Sequence, residues 1–315
     1  MGNIAFLFGG QGSQYVGMGK DLYESSDTFA DSFNKVSTFV DFDLKNLCFE
    51  GPQEKLNQTE FTQPALLAMG YSCGQLITKK GIKADVVAGF SLGEYAALLY
   101  TKVLNEKDAF FLISHRARAM QEAVPNGSGG MLVLLGLDAS EVLKICTDLD
   151  SSLWLANINC PGQIVVAGTN QALVKLQRYA EQKEIMSMRV AMSTPSHCPL
   201  MKPAADKLIK FIDEIQFSDS NIPIIMNYDG EATTDASKIK ENLIRQLTNP
   251  VQFEKSLRTI ESFGVNTFVE LGAGRVLSGF VKKTIKGASI CRVENTKTFN
   301  NVLEVCNSTE QRGQS

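Results

Sequence analysis

The chain has 315 residues, of which 44% are hydrophobic and 21% charged, with a formal net charge of −3. This composition is ordinary for a globular protein of about two domains, its charge argues against nucleic-acid binding, and no apolar run reaches the ~18 residues of a membrane-spanning helix. The seven cysteines form no C-x-x-C pair, which predicts reduced thiols in a cytoplasmic compartment and no metal centre.

The first part of the chain alternates predicted strands with predicted helices. Residues 3–8 form a buried strand, and the glycine-rich loop GGQGSQ at 9–14 follows it, with no basic segment typical of a signal peptide. Helical patterns cover 21–40, 64–80 and 94–123, and a second strand at 86–88 precedes the last of these. The segment PNGSGG at 125–130 then breaks the pattern, because proline and glycine interrupt helices.

The segment after this break predicts a separate small subdomain. Strands are expected at 131–137, 153–158, 163–167 and 186–192, and helices at 139–149 and 170–184. Their order, β-α-β-β-α-β, is that of the ferredoxin-like split unit. We therefore expect a ferredoxin-like subdomain over 128–194, inserted into a catalytic domain formed by 1–127 and 195–315.

Beyond residue 195 the alternation of helices and strands resumes. Helices are expected at 199–213, 237–247, 251–263 and 275–285, with strands at 222–226 and 267–270. The polar tail from residue 307 is expected to fray. The whole pattern predicts an α/β protein.

The pentapeptide GFSLG at 89–93 matches G-x-S-x-G, the nucleophile elbow. A strand before it and a helix after it are the context that this motif requires. The tight turn strains Ser91, and the flanking glycines let the backbone close. The hydroxyl then projects at the amino end of the helix, where N–H groups stabilise an oxyanion. A glycine-flanked turn with an ordinary serine is the alternative.

A serine nucleophile needs a general base, and the chain contains two histidines. His115 lies in a helical pattern directly beside Arg116, whose charge disfavours protonation of the imidazole. His197 lies in a bend between two prolines, and loops between rigid elements often carry catalytic groups. His197 is therefore the predicted base, and a structural loop histidine is the alternative.

Arg116 interrupts a row of apolar residues on its predicted helix, whereas Arg118 lies on a polar face. A cation on an apolar face is costly unless an anion meets it. Two interpretations stay open. One is a structural salt bridge to a buried carboxylate, and the other is a guanidinium that binds a substrate carboxylate through two hydrogen bonds.

The loop after the first strand offers a second backbone donor. Gln11 lies between two glycines, where the backbone can approach a ligand closely. In a nucleophile elbow the N–H of the next residue, here Leu92, is one oxyanion donor, and the N–H of Gln11 would be the second. A turn built only for its glycines is the alternative. A dinucleotide loop is excluded, because G-x-G-x-x-G is not satisfied.

Several segments together resemble malonyl-CoA:acyl carrier protein transacylases. They are FGGQGSQYVGMG at 8–19, TQPALL at 62–67, GFSLGEYAAL at 89–98, RARAMQEAVP at 116–125, PSHCPLMKPAADKL at 195–208, NPVQF at 249–253 and ELGAGRVLSG at 270–279. The resemblance covers the chain from Asn3 to about Lys286. It implies an α/β-hydrolase-like core with a parallel sheet and an inserted ferredoxin-like subdomain.

The resemblance also implies catalytic roles. Ser91 matches the acylated serine, and His197 matches its base. Arg116 matches the arginine that binds the malonyl carboxylate. Gln11 and Leu92 match the oxyanion donors.

The chain also has a counterpart of the residue that orients the histidine in this family, and it departs from the family pattern at three positions. Gln246 matches the residue whose carbonyl orients the histidine, so no acidic residue takes the third position. Phe90 stands where many members have histidine, which puts in doubt a side-chain hydrogen bond from that position. Gly9 and Ala273 each replace a proline.

The implied activity is transfer of a malonyl group from malonyl-CoA to the phosphopantetheine thiol of an acyl carrier protein in fatty acid biosynthesis. It proceeds through a malonyl-serine ester, with ping-pong kinetics and no cofactor or metal beyond the substrates. The expected protein is a cytoplasmic monomer that contacts neither nucleic acid nor membrane. Local charge density suggests candidate contacts for the carrier protein. They are Lys202, Lys207, Lys210, Arg275, Lys282, Lys283 and Lys286.

Three alternatives share the motifs. A discrete acyltransferase of a polyketide synthase would use the same chemistry with another carrier protein. A serine thioesterase or hydrolase on the same scaffold would release the acyl group to water. A catalytically silent scaffold would bind the carrier protein alone.

Overall fold

The computed structural model describes residues 3–125, 127–190 and 194–312, with side chains described up to residue 306. Its first segment contains two strands and seven helices. They are β1 (Asn3–Phe8), α1 (Lys20–Ser25), α2 (Asp27–Ser37), α3 (Leu44–Glu50), α4 (Gln53–Leu56), α5 (Thr59–Lys79), β2 (Val86–Gly89), α6 (Gly93–Tyr100) and α7 (Glu106–Ala123).

The middle segment alternates strands and helices in the predicted order. Its elements are β3 (Gly129–Leu135), α8 (Ala139–Leu149), β4 (Leu153–Cys160), β5 (Gln163–Thr169), α9 (Asn170–Gln182) and β6 (Ser187–Arg189). The last segment opens with a 3-10 turn (Pro199–Met201). It continues with α10 (Lys202–Asp213), β7 (Ile224–Ile225), β8 (Ala232–Thr233), α11 (Ala236–Gln246), α12 (Phe253–Ser262), β9 (Val265–Leu271), α13 (Val276–Thr284), β10 (Ser289–Val293) and α14 (Thr296–Arg312).

The larger sheet has six strands in the order β10-β9-β1-β2-β7-β8, and its described pairs are parallel except β7 with β8. β1 lies at its centre and is almost continuously apolar, as expected for a strand buried on both faces. Ile4, Phe6 and Phe8 pack into one core cluster, whereas Ala5 and Leu7 pack into the cluster on the opposite face.

The smaller sheet has four antiparallel strands in the order β4-β5-β3-β6. This order and the βαββαβ succession confirm the ferredoxin-like unit in the predicted fold class. Helices α8 and α9 contribute to the core cluster on one face of this sheet. Met131, Val133 and Val165 lie on the other face, in a separate cluster. The division of the chain at 128 and 194 stays a prediction.

Several predicted elements are wrong in their bounds. The helical pattern 94–123 is two helices, because Lys102 adopts φ 62° and Asn105 caps α7 by accepting the N–H of Asp108 at 2.9 Å. The pattern 21–40 likewise breaks at Ser26, which caps α2. The strand expected at 222–226 is reduced to Ile224–Ile225. The strand expected at 186–192 is reduced to Ser187–Arg189, and 191–193 lie outside the described residues.

Five elements were not predicted. They are α3, α4, β8, β10 and α14. The tail expected to fray from residue 307 is helical as far as Arg312, and 313–315 lie outside the described residues. No helix of the described part of the chain is long and apolar enough to cross a membrane.

The glycines of the elbow allow the first helix turn to contact the end of β1. Phe8 pairs with Gly89, so the loops after β1 and β2 start side by side. A Cβ on Gly93 would lie 2.1 Å from the carbonyl oxygen of Phe8 and 2.7 Å from that of Gly9. Backbone atoms at this distance have no room to move, so only glycine fits.

Replacing Gly93 with alanine should therefore destabilise the protein. Overpacking against fixed backbone should lower the free energy of unfolding by about 3 kcal/mol or more. Gly279→Ala is the matched control, because its Cβ would meet nothing within 4 Å and the position lies in α13. That change should raise stability by roughly 0.5–1 kcal/mol. Denaturant unfolding measures both, and equal stabilities for the two variants would contradict the packing argument.

Candidate active site

Ser91 occupies a strained turn between β2 and α6. Its φ is 56°, in the left-handed region that non-glycine residues rarely adopt. Asn227 holds this turn from a distant part of the chain. Its Oδ1 accepts the N–H of Ser91 at 2.7 Å, and its Nδ2 donates to the carbonyl of Gly89 at 2.6 Å. The predicted elbow geometry is present.

The Ser91 hydroxyl lies 2.7 Å from Nε2 of His197, although 106 positions separate the two residues. Nδ1 of His197 lies 2.9 Å from the carbonyl oxygen of Gln246. Because a carbonyl only accepts, Nδ1 carries the proton and Nε2 is free to accept the hydroxyl proton of Ser91. The main chain of Gln246 therefore selects the tautomer that a general base needs.

His197 is buried at 2% exposure and has φ 59°. Burial and the charge of Arg116 lower the pKa of His197 to about 4, against the opposing effect of the Gln246 carbonyl. The imidazole is therefore neutral at physiological pH. His115 instead stacks on Phe211, with ring centroids 3.9 Å apart, outside the site.

Arg116 is a cation in the core, with 1% exposure. Its Nη1 donates to Oε1 of Gln63 at 2.7 Å, and its Nη2 donates to the Ser91 hydroxyl at 3.0 Å and to Oε1 of Gln246 at 3.1 Å. The guanidinium carbon lies 5.5 Å from the centroid of the Tyr95 ring. Burial lowers the pKa of Arg116.

Within the described residues no carboxylate forms an ion pair with Arg116, since every side chain that it donates to is neutral. The structural salt bridge considered from the sequence is therefore not made. Arg118 lies on the opposite, solvated face of α7 and pairs with Asp41 at 2.7 Å, as its position on the helix predicts.

The two predicted oxyanion donors line the same cavity as Ser91. Leu92 precedes the first turn of α6, and Gln11 follows β1. Neither main-chain N–H donates to an acceptor in the described part of the chain. The Gln11 side chain is held separately, because its Nε2 donates to Thr59 at 3.1 Å.

The cavity has a volume of about 480 Å³ and lies between the two sheets. The elbow, α7 and the loop of His197 form one wall. The free face of the small sheet forms the other, through residues such as Met131, Val133 and Val165. Phe90, which departs from the family pattern, lines the cavity. Its ring centroid lies 5.2 Å from that of Phe253 and 5.9 Å from that of Phe280.

Sequence reasoning missed three side chains that support the site. Gln63 lies within the segment TQPALL and Glu94 within GFSLGEYAAL, but neither pattern predicts a role for them, and Asn227 lies outside these segments. Gln63 accepts a hydrogen bond from Arg116, and Asn227 holds the elbow. Among the described residues, Glu94 reaches the site through its hydrogen bonds with Gln246 and Asn227. A polar residue in an apolar helical pattern was the available signal for Gln63. Nothing local marked Asn227.

The candidate carrier-protein contacts differ in their environment. Lys202 and Lys207 form surface ion pairs with Asp206 and Glu122. Arg275 and Lys282 line a separate groove along α13. Their role stays a prediction. In the described residues no group of three or more His, Cys, Asp or Glu side chains could hold a metal ion.

Comparison with known proteins gives the class of this fold and site, which is that of an acyltransferase. Residues 5–302 match the family model for the acyl transferase domain, and the chain belongs to that family.

The relatives are more specific. A malonyl CoA-acyl carrier protein transacylase from Bacillus subtilis is 41% identical over 304 residues, which are 95% of this chain and 96% of that protein. The crystal structure of a malonyl CoA-acyl carrier protein transacylase from Clostridium perfringens superposes with a TM-score of 0.96 at 35% identity, covering 99% of this chain and 100% of that one. A malonyl-transacylase in complex with its type II PKS acyl-carrier protein superposes with a TM-score of 0.92 at 37% identity, covering 96% and 99%. The resemblance seen in the motifs and the predicted fold class are confirmed.

The low pKa of His197 can be measured directly, because the chain contains only two histidines. We expect the His197 imidazole to titrate at about 4, well below its ordinary value of 6.5. NMR of protein with isotope-labelled histidine follows the titration of both imidazoles. The variant His115→Gln shows which signal belongs to His197. The neutral form should show the proton on Nδ1. A midpoint near 6.5 for His197 would contradict the buried, Arg116-facing environment.

Proposed function

We propose that the protein transfers a malonyl group from malonyl-CoA to the phosphopantetheine thiol of an acyl carrier protein, through an ester on Ser91. One observation carries the proposal: the Ser91 hydroxyl lies 2.7 Å from a neutral imidazole and 3.0 Å from a guanidinium without a carboxylate partner among the described residues. A nucleophile beside such a cation suits an acyl group whose far end is a carboxylate.

In the first half-reaction the malonyl carboxylate pairs with Arg116, which brings the thioester carbonyl to Ser91. The serine oxygen attacks this carbonyl while its proton moves to Nε2 of His197. The N–H groups of Gln11 and Leu92 stabilise the oxyanion, each by roughly 3 kcal/mol. When the tetrahedral intermediate collapses, the C–S bond breaks and CoA leaves as a thiol with the proton from His197.

In the second half-reaction the thiol of the carrier protein gives its proton to His197 and attacks the ester. The C–O bond to Ser91 breaks, and the serine oxygen recovers the proton. The Gln246 carbonyl stabilises the imidazolium in both halves. The reaction needs no cofactor or metal beyond the two substrates.

The name of the Bacillus relative supports a carrier protein as acceptor. A second candidate acceptor is the carrier protein of a type II PKS, because the malonyl-transacylase at a TM-score of 0.92 was solved with such a partner. The chemistry at Ser91 is the same for both.

We also propose a cytoplasmic monomer, with residues 128–194 as a subdomain inserted into the catalytic domain. Among the described residues, the cysteines at positions 48, 73, 146, 160, 198 and 291 are free thiols, which supports a reducing compartment. The four strands of the antiparallel sheet, β3 to β6, are consecutive in the chain, which supports the proposed division.

Mass spectrometry of the intact protein after incubation with malonyl-CoA tests the proposal. One malonyl group should appear on the wild type and none on Ser91→Ala. Adding a phosphopantetheine-bearing acyl carrier protein should move that group to its thiol faster than water removes it. Loss to water at the same rate with and without carrier protein would support a hydrolase instead.

Arg116→Ala should reduce the preference for malonyl-CoA over acetyl-CoA by roughly 30-fold or more, because a charge-assisted contact is worth about 2 kcal/mol. Arg118→Ala is the matched control on the same helix, and its preference should stay at the wild-type value. The preference is measured by letting the two CoA esters compete and determining the ratio of malonyl to acetyl adducts on Ser91. An unchanged ratio in Arg116→Ala would remove Arg116 from carboxylate recognition.

A further inference from the structure

A buried carboxylate lies behind Ser91 and takes no part in the reaction described above. Glu94 has 1% exposure and follows the serine by three positions, on α6. Its Oε1 accepts the main-chain N–H of Asn227 at 2.6 Å, and its Oε2 accepts Nε2 of Gln246 at 2.6 Å. Both oxygens therefore act as acceptors.

Glu94 determines which way the side-chain amide of Gln246 points. Nε2 of Gln246 donates to Glu94 and also to the carbonyl of Ser91, at 2.9 Å. Because a carboxylate and a carbonyl offer no proton, the NH₂ group must face them. Oε1 of Gln246 is then left to accept Nη2 of Arg116. The opposite orientation would place an NH₂ group against the guanidinium.

The same residue, Gln246, thus carries two functions. Its main-chain carbonyl orients His197, and its side chain orients Arg116. Glu94 is joined to this arrangement by a hydrogen bond, and one amide separates its carboxylate from the cation. Since no direct ion pair forms between Glu94 and Arg116 in the described residues, the guanidinium is aligned without being neutralised by contact.

We propose that Glu94 is a positioning residue that, through the side-chain amide of Gln246, holds Arg116 in the orientation that receives the substrate carboxylate. The inference rests on the proposed function, because it concerns the same acyl group. Within the described residues the Glu94 carboxylate hydrogen-bonds Asn227 and Gln246 and not Ser91 Oγ, so we infer an indirect effect on the reaction.

The protonation state of Glu94 supplies an independent readout. Burial raises the pKa of Glu94 to about 7, against the hydrogen bonds from Asn227 and Gln246 and the charge of Arg116, while Asp229 adds to the rise. Below this pH the carboxyl group carries a proton, and its O–H would face one of two N–H donors. Tyr95 on the same helix stays protonated, because burial raises its pKa, and the low pKa of His197 keeps its imidazole neutral.

The experiment compares the efficiency, kcat/KM, of loading from malonyl-CoA and from acetyl-CoA. In Glu94→Gln the side chain keeps its shape but has one acceptor instead of two, so Gln246 loses its fixed orientation. We expect the malonyl-to-acetyl ratio to fall about tenfold at about pH 8, where wild-type Glu94 is ionised. In the wild type the ratio should fall between about pH 8 and about pH 6, whereas in Glu94→Gln it should be the same at both.

Two further variants separate positioning from general damage. Asn227→Ala removes the side-chain contacts to the elbow but keeps the main-chain N–H that Glu94 accepts, so both efficiencies should fall together and the ratio should stay constant. Glu106→Gln makes the same carboxylate-to-amide change at a half-buried position that contacts Lys35 and Tyr71, and it should change neither efficiency.

An unchanged ratio in Glu94→Gln would overturn the inference. A raised ratio would also overturn it, because loss of the negative charge alone strengthens attraction of a malonyl carboxylate. If Glu94→Gln does not fold, the wild-type pH series decides the question, and a constant ratio there counts against the role. A wild type that forms no malonyl adduct would instead be a failure of the proposed function.

Discussion

Ser91 and His197 meet because both hold left-handed backbone conformations, with φ of 56° and 59°. Each such residue costs roughly 1–3 kcal/mol, so the surrounding contacts must enforce it. At Ser91 the enforcing groups are the Asn227 amide and the close contact of Gly93 with the end of β1. At His197 the Gln246 carbonyl fixes the ring. The geometry of the dyad therefore depends on contacts from the end of β1, the segment after β7 and the end of α11.

Arg116 shows how the same core tolerates a cation. Removing a guanidinium from water is costly, and a direct ion pair with a carboxylate would offset the cost but occupy the group. Here the side-chain amide oxygens of Gln63 and Gln246 accept hydrogen bonds from the guanidinium, and the Tyr95 ring lies against it. Neutral partners stabilise the charge without cancelling it. The proposed affinity for an anionic acyl group follows from this choice of partners.

The parts of the site that sequence could predict are those whose signal is local. The elbow is a five-residue pattern, and helical periodicity alone separated buried Arg116 from exposed Arg118. Asn227 lies 136 positions from the serine that it holds, so no local pattern could connect them. In the sequence Glu94 is an unremarked polar residue of a helical pattern, and its partner Gln246 lies 152 positions away.

The missed elements of the fold have similar causes. The edge strand β10 has half-buried residues with no clear alternation, and α14 is rich in threonine and asparagine, which favour helix weakly. Lys102 ended a predicted helix because it adopts a positive φ, which is unusual for lysine and leaves no mark in the sequence. Tertiary contacts decided these cases rather than propensity.

The low pKa of His197 and the absence of an acidic third residue among its described partners favour an activated substrate. A base with a pKa of about 4 accepts a proton only while the oxyanion forms beside it, so the two charges must develop together. The Gln246 carbonyl stabilises an imidazolium less than a carboxylate would. A thioester, whose carbonyl is readily attacked, reacts under these conditions, whereas an amide would demand a stronger base. The electrostatics of the dyad thus favour a thioester as the group that acylates Ser91.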